Sequence, residues 1–578
     1  MSGAMDEAKV GVYVCHCGGN ISDVVDVKAV AAELGKHPQV AISKEFAFMC
    51  SDAGQKLVIE DIKSGKINRV VVAACSPALH ELTFRKALQR ADLNPYLYEH
   101  VNIREQVSWV HKGDHDAATR KATSLTRAGV EKILRQDRLE SIHVGAAKRV
   151  LIVGGGPAGL KAALDSAARG LKVTLVEKSG RLGGHLHEFD TVYPGGQSAS
   201  ELLGKLLSAV SANPAITVVL GAEVKTWDGF VGNFKAVLST GDAVNAGAVI
   251  MATGYRHTAP SAGEYRFGKD DRVITLPALI EQMKAAPRGP LTRGGRAVRS
   301  VAFIHCVGSR QIEGVHAPQE DGKVNDYCSR VCCTAALHTI NALKERQSDL
   351  AIYDLYRDIR TYGRGHEAIY EQASKNGVLF FRFTEEAQPE IRESSVVVKD
   401  VLTWNQEVEL PADLVVLVTG VKPGEVAELT AMMKLPTGSD RFLQEAHPKL
   451  RPVEVANNGF FLAGACQAPM DLVESAAAAG AAASKVAAVL SKDFITLDPY
   501  VARVDAEKCT GCEACLPECA YTGALFMNGS KKAEVNAALC KGCGACVAVC
   551  EPRALDLAGW SLDQMEAMVD AMASEVAP

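Results

Sequence analysis

Apolar runs of strand length alternate with amphipathic or alanine-rich stretches of helix length along most of this chain. Val10–Val14 is a continuous apolar run, helical patterns follow near residues 24–34 and 53–63, and Arg69–Ala74 is a second buried-strand run. That alternation predicts a small α/β layer over about residues 8–135, inside a first domain of residues 1–140. The same pattern resumes at the strand Arg149–Val153, an alanine-rich helix and the strand Lys172–Val176. Further strands are predicted at Ile250–Met251, running into a small-residue turn, and at Val301–His305. The alanine-rich run 476–490 is interrupted by Gly480, Ser484 and Lys485, and reads as a helix too short to span a bilayer.

At 578 residues the chain should hold several domains, and 47% hydrophobic content describes a soluble protein with ample core. A net charge of −5 argues against nucleic acid as a partner. The first apolar stretch is short and preceded by Asp6, Glu7 and Lys9, so no signal peptide is expected. Seventeen cysteines are too few for a disulfide scaffold, and their clustering points to metal in a reducing, cytosolic compartment.

Eight of those cysteines form two C-x2-C-x2-C-x3-C runs, Cys509, Cys512, Cys515, Cys519 and Cys540, Cys543, Cys546, Cys550. This is the ligand set of a bacterial-type two-cluster ferredoxin domain, in which the fourth thiolate of each run crosses to the other cubane. Cys550 then completes the site of Cys509, Cys512 and Cys515, and Cys519 that of Cys540, Cys543 and Cys546. Zinc modules more often use two well-separated pairs than two tight quartets. Ala520 and Glu551 stand where proline usually follows the last cysteine, leaving the ligand spacing untouched. Such a domain moves single electrons.

Gly154, Gly156 and Gly159 form G-x-G-x-x-G between a strand and a helix, with Glu177 ending the next strand. The glycines permit a tight turn and close approach to a pyrophosphate at the helix N-terminus, and Glu177 suits a ribose hydroxyl. Pro157 and Ala158 lie in the same turn and Lys178 follows the acid. FAD is favoured over NAD because Arg181-Leu-Gly183-Gly184, Ala252-Thr253-Gly254 and the segment 459–464 (GFFLAG) resemble the flavoprotein family that includes thioredoxin reductase. Gly464 is followed by Ala465 and Cys466 where that family usually has Gly-Asp. A second dinucleotide half should carry its own glycine fingerprint, but Val301–His305 runs instead into Cys306-Val-Gly-Ser-Arg310. NAD(P)H binding is therefore not expected, and no C-x-x-C pair outside the ferredoxin runs offers a redox dithiol.

Two further cysteine sets remain. Cys306, Cys328, Cys332 and Cys333 make a quartet whose adjacent pair is awkward for packing and natural for a cluster wrapped by a helix start. Cys15, Cys17, Cys50 and Cys75 all follow apolar segments, where one edge of an open sheet can converge them; buried free cysteines as small apolar residues are the alternative. His16 is expected to be solvated or to support a ligand rather than be one. Cys466 suits a structural or flavin-adjacent role.

Cys306-Val-Gly-Ser-Arg310, Tyr327-Cys-Ser-Arg-Val-Cys-Cys333, Arg360-x-x-Gly363 with Gly365, and His447-Pro-Lys-Leu-Arg-Pro452 resemble the A-type subunits of heterodisulfide reductase, the flavin-based electron-bifurcating subunits of anaerobes. Val14-Cys-His-Cys-Gly18, Val72-Ala-Ala-Cys-Ser-Pro77 with Leu79-His-Glu81, and Asn102-Ile-Arg-Glu-Gln106 extend the resemblance over nearly the whole chain. It implies an α/β, thioredoxin-reductase-like two-dinucleotide-domain flavoprotein over residues 145–492, its second half near 295–425. An N-terminal α/β domain precedes it, and an α+β ferredoxin domain over 498–556 and a helical tail over 557–578 follow. It implies FAD and four 4Fe–4S clusters, with the N-terminal and middle quartets as ligands. It implies B- and C-type partner subunits, a hydrogenase, formate dehydrogenase or ferredoxin-type electron partner, and a homodimer within a larger cytoplasmic complex. Relatives carry a flavin-proximal lysine five residues after the Cys-Cys pair; here His338 takes that place as the catalytic candidate. Longer relatives also carry a ferredoxin insertion where residues 185–250 of this chain contain no cysteine. A non-bifurcating electron relay is the alternative function, and a self-contained NAD(P)H-dependent disulfide reductase is disfavoured.

Overall fold

The computed structural model describes residues 7–319, 321–521 and 523–573. They form two compact units, one combining the N-terminal region up to Val144 with the chain from Thr496 onward, the other running Gly145–Ile495. The sequence treats residues 1–140 and 498–556 as separate domains; their packing groups them. The C-terminal helix spans Leu562–Ala573, and residues 574–578 of the expected tail lie outside the described residues.

In the first unit, four parallel strands run in the order Val40–Phe46, Val10–Cys15, Arg69–Ala74, Tyr98–Asn102. The two central strands are buried along their whole length, which is why both are unbroken apolar runs rather than alternating ones. Helix Val27–Leu34 starts a few residues later than the apolar pattern suggests, because the Asp26 carboxylate accepts the N–H groups of Lys28 and Ala29 and fixes the start there. Ser51, Ser76 and Asp114 cap the helices Asp52–Lys63, Pro77–Arg90 and His115–Leu134 in the same way. Parallel pairing places the carboxyl ends of all four strands at one edge, and Cys15 and Cys75 sit there.

The C-terminal part of this unit consists of the short antiparallel pairs Ala502–Val504 with Leu555–Leu557 and Leu525–Met527 with Ala533–Val535. Arg85 ties it to the N-terminal part by donating to Asp498 (2.8 Å) and the Tyr500 hydroxyl (2.9 Å). Deeper in, the Lys132 ammonium lies 2.5 Å from Glu99 and 3.2 Å from the centre of the Trp560 ring.

The second unit holds two five-stranded parallel sheets. The first runs Ile216–Leu220, Lys172–Glu177, Arg149–Val153, Ala248–Met251, Phe460–Leu462, and the second Val273–Thr275, Leu414–Thr419, Ser300–Val307, Ala351–Tyr356, Leu379–Arg382. The alanine-rich helix is longer than its sequence suggests, Leu472–Val489, because Asp471 and Glu474 form a capping box ahead of the run. Among the described residues it alone is long and apolar enough to cross a membrane, yet its stripe of Ser475, Ala479, Ala482, Ala483 and Val486 is buried, and small side chains let it pack closely on helix Pro157–Ala168.

Burial pulls Lys132 below and pushes Glu99 above their ordinary values, so each ion depends on the other. Glu99→Ala is expected to destabilise this unit by about 3–5 kcal/mol in urea unfolding, and the apolar pair Glu99→Leu with Lys132→Met to recover most of that loss.

Candidate functional site

Gly154 ends the strand Arg149–Val153 with φ of 112°, and a Cβ there would stand 2.2 Å from the Ala252 carbonyl oxygen. A Cβ on Gly159 would stand 1.9 Å from the Gly154 carbonyl oxygen, so these two glycines serve the close approach of backbones. Gly156 differs: a Cβ there meets nothing within 4 Å. It caps helix Pro157–Ala168 and faces a cavity of about 1000 Å³ lined by Pro157, Ala158, Glu177, Lys178, Arg181, Gly184, Ala252, Thr253, Gly254, Ala463 and Ala465. Free N–H groups at that helix start favour an anion. Glu177 accepts the N–H groups of Gly155 (2.6 Å) and Ser179 (2.8 Å) and retains lone pairs for a hydroxyl. The buried Thr253 hydroxyl has no hydrogen-bond partner among the described residues, and a ligand in the cavity can supply one. This donor set, cradle and volume fit a dinucleotide.

Four residues expected at the flavin do not line this cavity. Gly159 packs inside the turn, and Gly183 donates its N–H to the Gly155 carbonyl at 2.8 Å. Gly464, at φ of 72°, lies where a Cβ would meet that of Ala158 at 2.7 Å. Cys466 is buried and donates to the Met251 carbonyl at 3.1 Å, burial pushing its thiol up to about 11. Its role is packing behind the wall made by its neighbours.

His338 does line the cavity, from helix Cys332–Arg346, with Nε2 2.8 Å from the Thr191 hydroxyl. Burial holds it below the ordinary histidine value, so it is neutral at neutral pH. A second histidine on the wall belongs to no motif singled out in the sequence. His185 stacks on Tyr255 with ring centres 4.2 Å apart, its Nδ1 2.8 Å from Glu188 and its Nε2 2.9 Å from the Tyr255 carbonyl oxygen. Burial opposes its charge, but these two acceptors raise it above the ordinary value; Glu188, against its own burial, is pulled down to about 2 by His185 and His257. The cavity thus carries one neutral and one cation-favouring imidazole. Two histidines and a glutamate within four residues of Gly184 were the available signal.

In the second sheet, strand Ser300–Val307 is followed by a long loop before helix Cys332–Arg346, with Cys306 in the left-handed region at φ of 65°. Ser309 and Asn325 pin that loop, the Ser309 hydroxyl accepting from Ser329 N–H (3.0 Å) and the Asn325 amide donating to the Gly308 carbonyl (3.0 Å). The result brings Cys306, Cys328, Cys332 and Cys333 into one another's field. Beside Cys332, and then by the fully buried His305, Cys333 is held well below its ordinary value while Cys332 is pushed up; His305 itself lies 2.7 Å from Asp354.

Cys15, Cys17, Cys50 and Cys75 also converge. Cys15 accepts N–H bonds from Cys17 (3.3 Å) and Met49 (3.5 Å), and left-handed turns at Cys17 (φ 54°) and Gly18 (φ 58°) bend the chain around it. Burial pushes Cys75 up to about 12, with Arg104 pulling down and Cys17, Glu105 and Cys15 adding to the rise. His16 is engaged by Glu45 rather than by the sulfurs. Near the C-terminus, one small cavity is lined by Cys509, Cys512, Cys515 and Cys550, and another by Cys519, Cys540, Cys543 and Cys546. Cys509, Cys540 and Cys550 accept N–H bonds from Ala533, Ala502 and Ala554 at 3.5, 3.4 and 3.3 Å.

A family model described as pyridine nucleotide-disulphide oxidoreductase matches residues 148–290, and one described as a 4Fe-4S dicluster domain matches residues 502–551. The chain is 35% identical to one of the A-type iron-sulfur subunits of the CoB–CoM heterodisulfide reductase of Methanopyrus kandleri, over 90% of this chain and 92% of that protein. It is 37% identical to the A-type subunit of the ferredoxin:CoB–CoM heterodisulfide reductase of Methanosarcina mazei, over 89% of this chain and 74% of that protein. Among solved structures, the thioredoxin reductase of T. acidophilum is similar at 17% identity and a TM-score of 0.40, covering 59% of this chain and 98% of that one. The chain is a FAD flavoprotein, and its C-terminal region carries two 4Fe–4S clusters.

Because a side chain at position 156 meets only the cavity, Gly156→Val is expected to fold with unchanged circular dichroism while losing most of its flavin absorbance. Gly159→Val, pressed onto backbone, is expected to lose the fold itself.

Proposed function

Because this chain belongs to the family of A-type heterodisulfide reductase subunits, we propose that it is the flavin and iron–sulfur subunit of a complex that bifurcates or confurcates electrons between low- and high-potential partners. Bound FAD supplies two-to-one-electron conversion, and iron–sulfur clusters supply single-electron steps. The chain's own residues do the rest. The helix start at Gly156 and Pro157 holds the pyrophosphate, Glu177 the ribose, and Thr253 a hydrogen bond to the ligand. His338 and His185 stand on the cavity wall in different protonation states, one able to accept a proton and the other to donate one.

The observation that carries this reading is the start of helix Cys332–Arg346. A pyridine nucleotide would need its N–H groups and a short glycine turn before it; Cys332 and Cys333 are there instead, facing Cys306 and Cys328. In the proposal the middle quartet ligates a third cluster and Cys15, Cys17, Cys50 and Cys75 a fourth, so that electrons reach FAD through sulfur-ligated iron or from a partner subunit. B- and C-type subunits carry the disulfide chemistry, and a hydrogenase, formate dehydrogenase or ferredoxin-type protein exchanges the remaining electrons. The assembly is a cytoplasmic homodimer of such complexes. One observation favours the non-bifurcating relay: residues 185–250 contain no cysteine, which leaves one fewer cluster for a low-potential branch. Purified anaerobically with its co-purifying subunits, the complex should reduce a low-potential ferredoxin only while a high-potential acceptor is also being reduced. Independent reduction of either would favour the relay.

Reconstituted protein is expected to hold about sixteen iron atoms per chain, against about eight if only the C-terminal region loads, and Cys306→Ser and Cys75→Ser each to remove about four. NADH and NADPH are expected to leave the flavin of the isolated chain unbleached in an anaerobic stopped-flow experiment; rapid bleaching would overturn the complex-subunit reading.

A further inference from the structure

Resting on the reading that Cys15, Cys17, Cys50 and Cys75 ligate a cluster, we propose that Arg104 is a positioning residue that raises the reduction potential of that cluster through a hydrogen bond to the Cys17 sulfur. Its Nη1 lies 3.3 Å from Cys17 Sγ. The guanidinium is held from two other directions, Glu105 accepting from Nε (3.2 Å) and Nη2 (2.6 Å) and the Trp109 ring lying 4.8 Å beneath it. Its side chain is 15% exposed.

The backbone around Arg104 is arranged to aim it. Arg104–Ser108 is a single π-helical turn, a rare form concentrated at functional sites. It begins directly beyond the strand Tyr98–Asn102, and the Asn102 side chain accepts the N–H groups of Arg104 (3.2 Å) and Glu105 (3.1 Å). At its other end the Ser108 hydroxyl donates to the Asn20 carbonyl (2.7 Å), joining the turn to the loop that carries Cys17. A widened turn, a cap and a tie to the cysteine loop thus fix one N–H vector on one sulfur.

A cubane with four thiolates is anionic and gains one more negative charge on reduction, so a donor and positive charge at a ligand sulfur favour the reduced state. Glu105 cancels much of the guanidinium's charge at long range. It binds the Nε–Nη2 edge, however, and leaves Nη1 turned to Cys17, so the pair presents its positive end to the sulfur. Arginine stays charged at every working pH, and its contribution does not titrate.

The test is an EPR-monitored redox titration of the full-length reconstituted chain, in which the N-terminal component is the one that Cys17→Ala abolishes. Arg104→Met should retain its iron and shift that component to more negative potential, Arg104→Lys should shift it less, and the other components should stay where they are. An unmoved N-terminal midpoint in Arg104→Met overturns the proposal. So does an equal shift of all components, or loss of the cluster from both variants with the fold intact, since either makes Arg104 merely structural. A wild-type spectrum that Cys17→Ala leaves unchanged removes the ligation reading itself, and the proposal with it.

Discussion

Parallel strands deliver their carboxyl ends to one edge of a sheet, and three of the four candidate sites in this protein stand on such an edge. Cys15 and Cys75 end the central strands of the N-terminal sheet, Gly154 and Thr253 follow neighbouring strands of the first dinucleotide sheet, and Cys306 stands near the end of the middle strand of the second. Residues far apart in sequence meet there because the order of the strands brings their segments to one edge, where loops complete the sets. The C-terminal cysteines are the exception. Their short antiparallel strands form no such edge, and ligands must be supplied by the tight C-x-x-C spacing itself.

Burial raises Cys15, Cys50, Cys75, Cys306 and Cys546, and neighbouring thiols raise them further. A thiolate is nevertheless what iron requires. The fold answers with donors placed at the sulfurs: backbone N–H groups on Cys15, Cys509, Cys540 and Cys550, and Arg104 on Cys17. Each donor lowers the free energy of the ionised sulfur locally, and that is the same interaction that shifts a bound cluster toward its reduced state.

What the sequence made legible follows from range. The ferredoxin runs and the G-x-G-x-x-G turn are local, so spacing alone locates them. The convergence of Cys15, Cys17, Cys50 and Cys75 depends on strand order; the apolar segments ahead of them suggested it, and the family's residue pattern strengthened it. Which residues of a motif face the ligand was less readable: Ala463 and Ala465 line the cavity while Gly464 and Cys466 back it, a distinction set by side-chain direction at φ of 72° in Gly464. The N- and C-terminal regions join into one unit through packing of helix Leu562–Ala573 on helix His115–Leu134 and through side chains such as Arg85 and Lys132, whose partners Asp498 and Trp560 are more than four hundred residues away. No periodicity or composition marks such contacts.

The second dinucleotide sheet shows how one physical feature can serve two ligands. A helix N-terminus presents free N–H groups and the positive end of its dipole, which in the first half suit a pyrophosphate. In the second half Cys332 and Cys333 occupy the same position on helix Cys332–Arg346, with no side-chain cap ahead of them. A helix start favours a thiolate for the reason it favours a phosphate, and Cys333 at this one is held down despite complete burial by its neighbour Cys332 and then by His305. Lengthening the turn to twenty-four residues between Val307 and Cys332 gives Cys328 room to return to Cys306. The helix start that would hold a second pyrophosphate thus presents sulfurs of the chain in its place, and the proposal of a single nucleotide site in a fold with two dinucleotide sheets rests on that exchange.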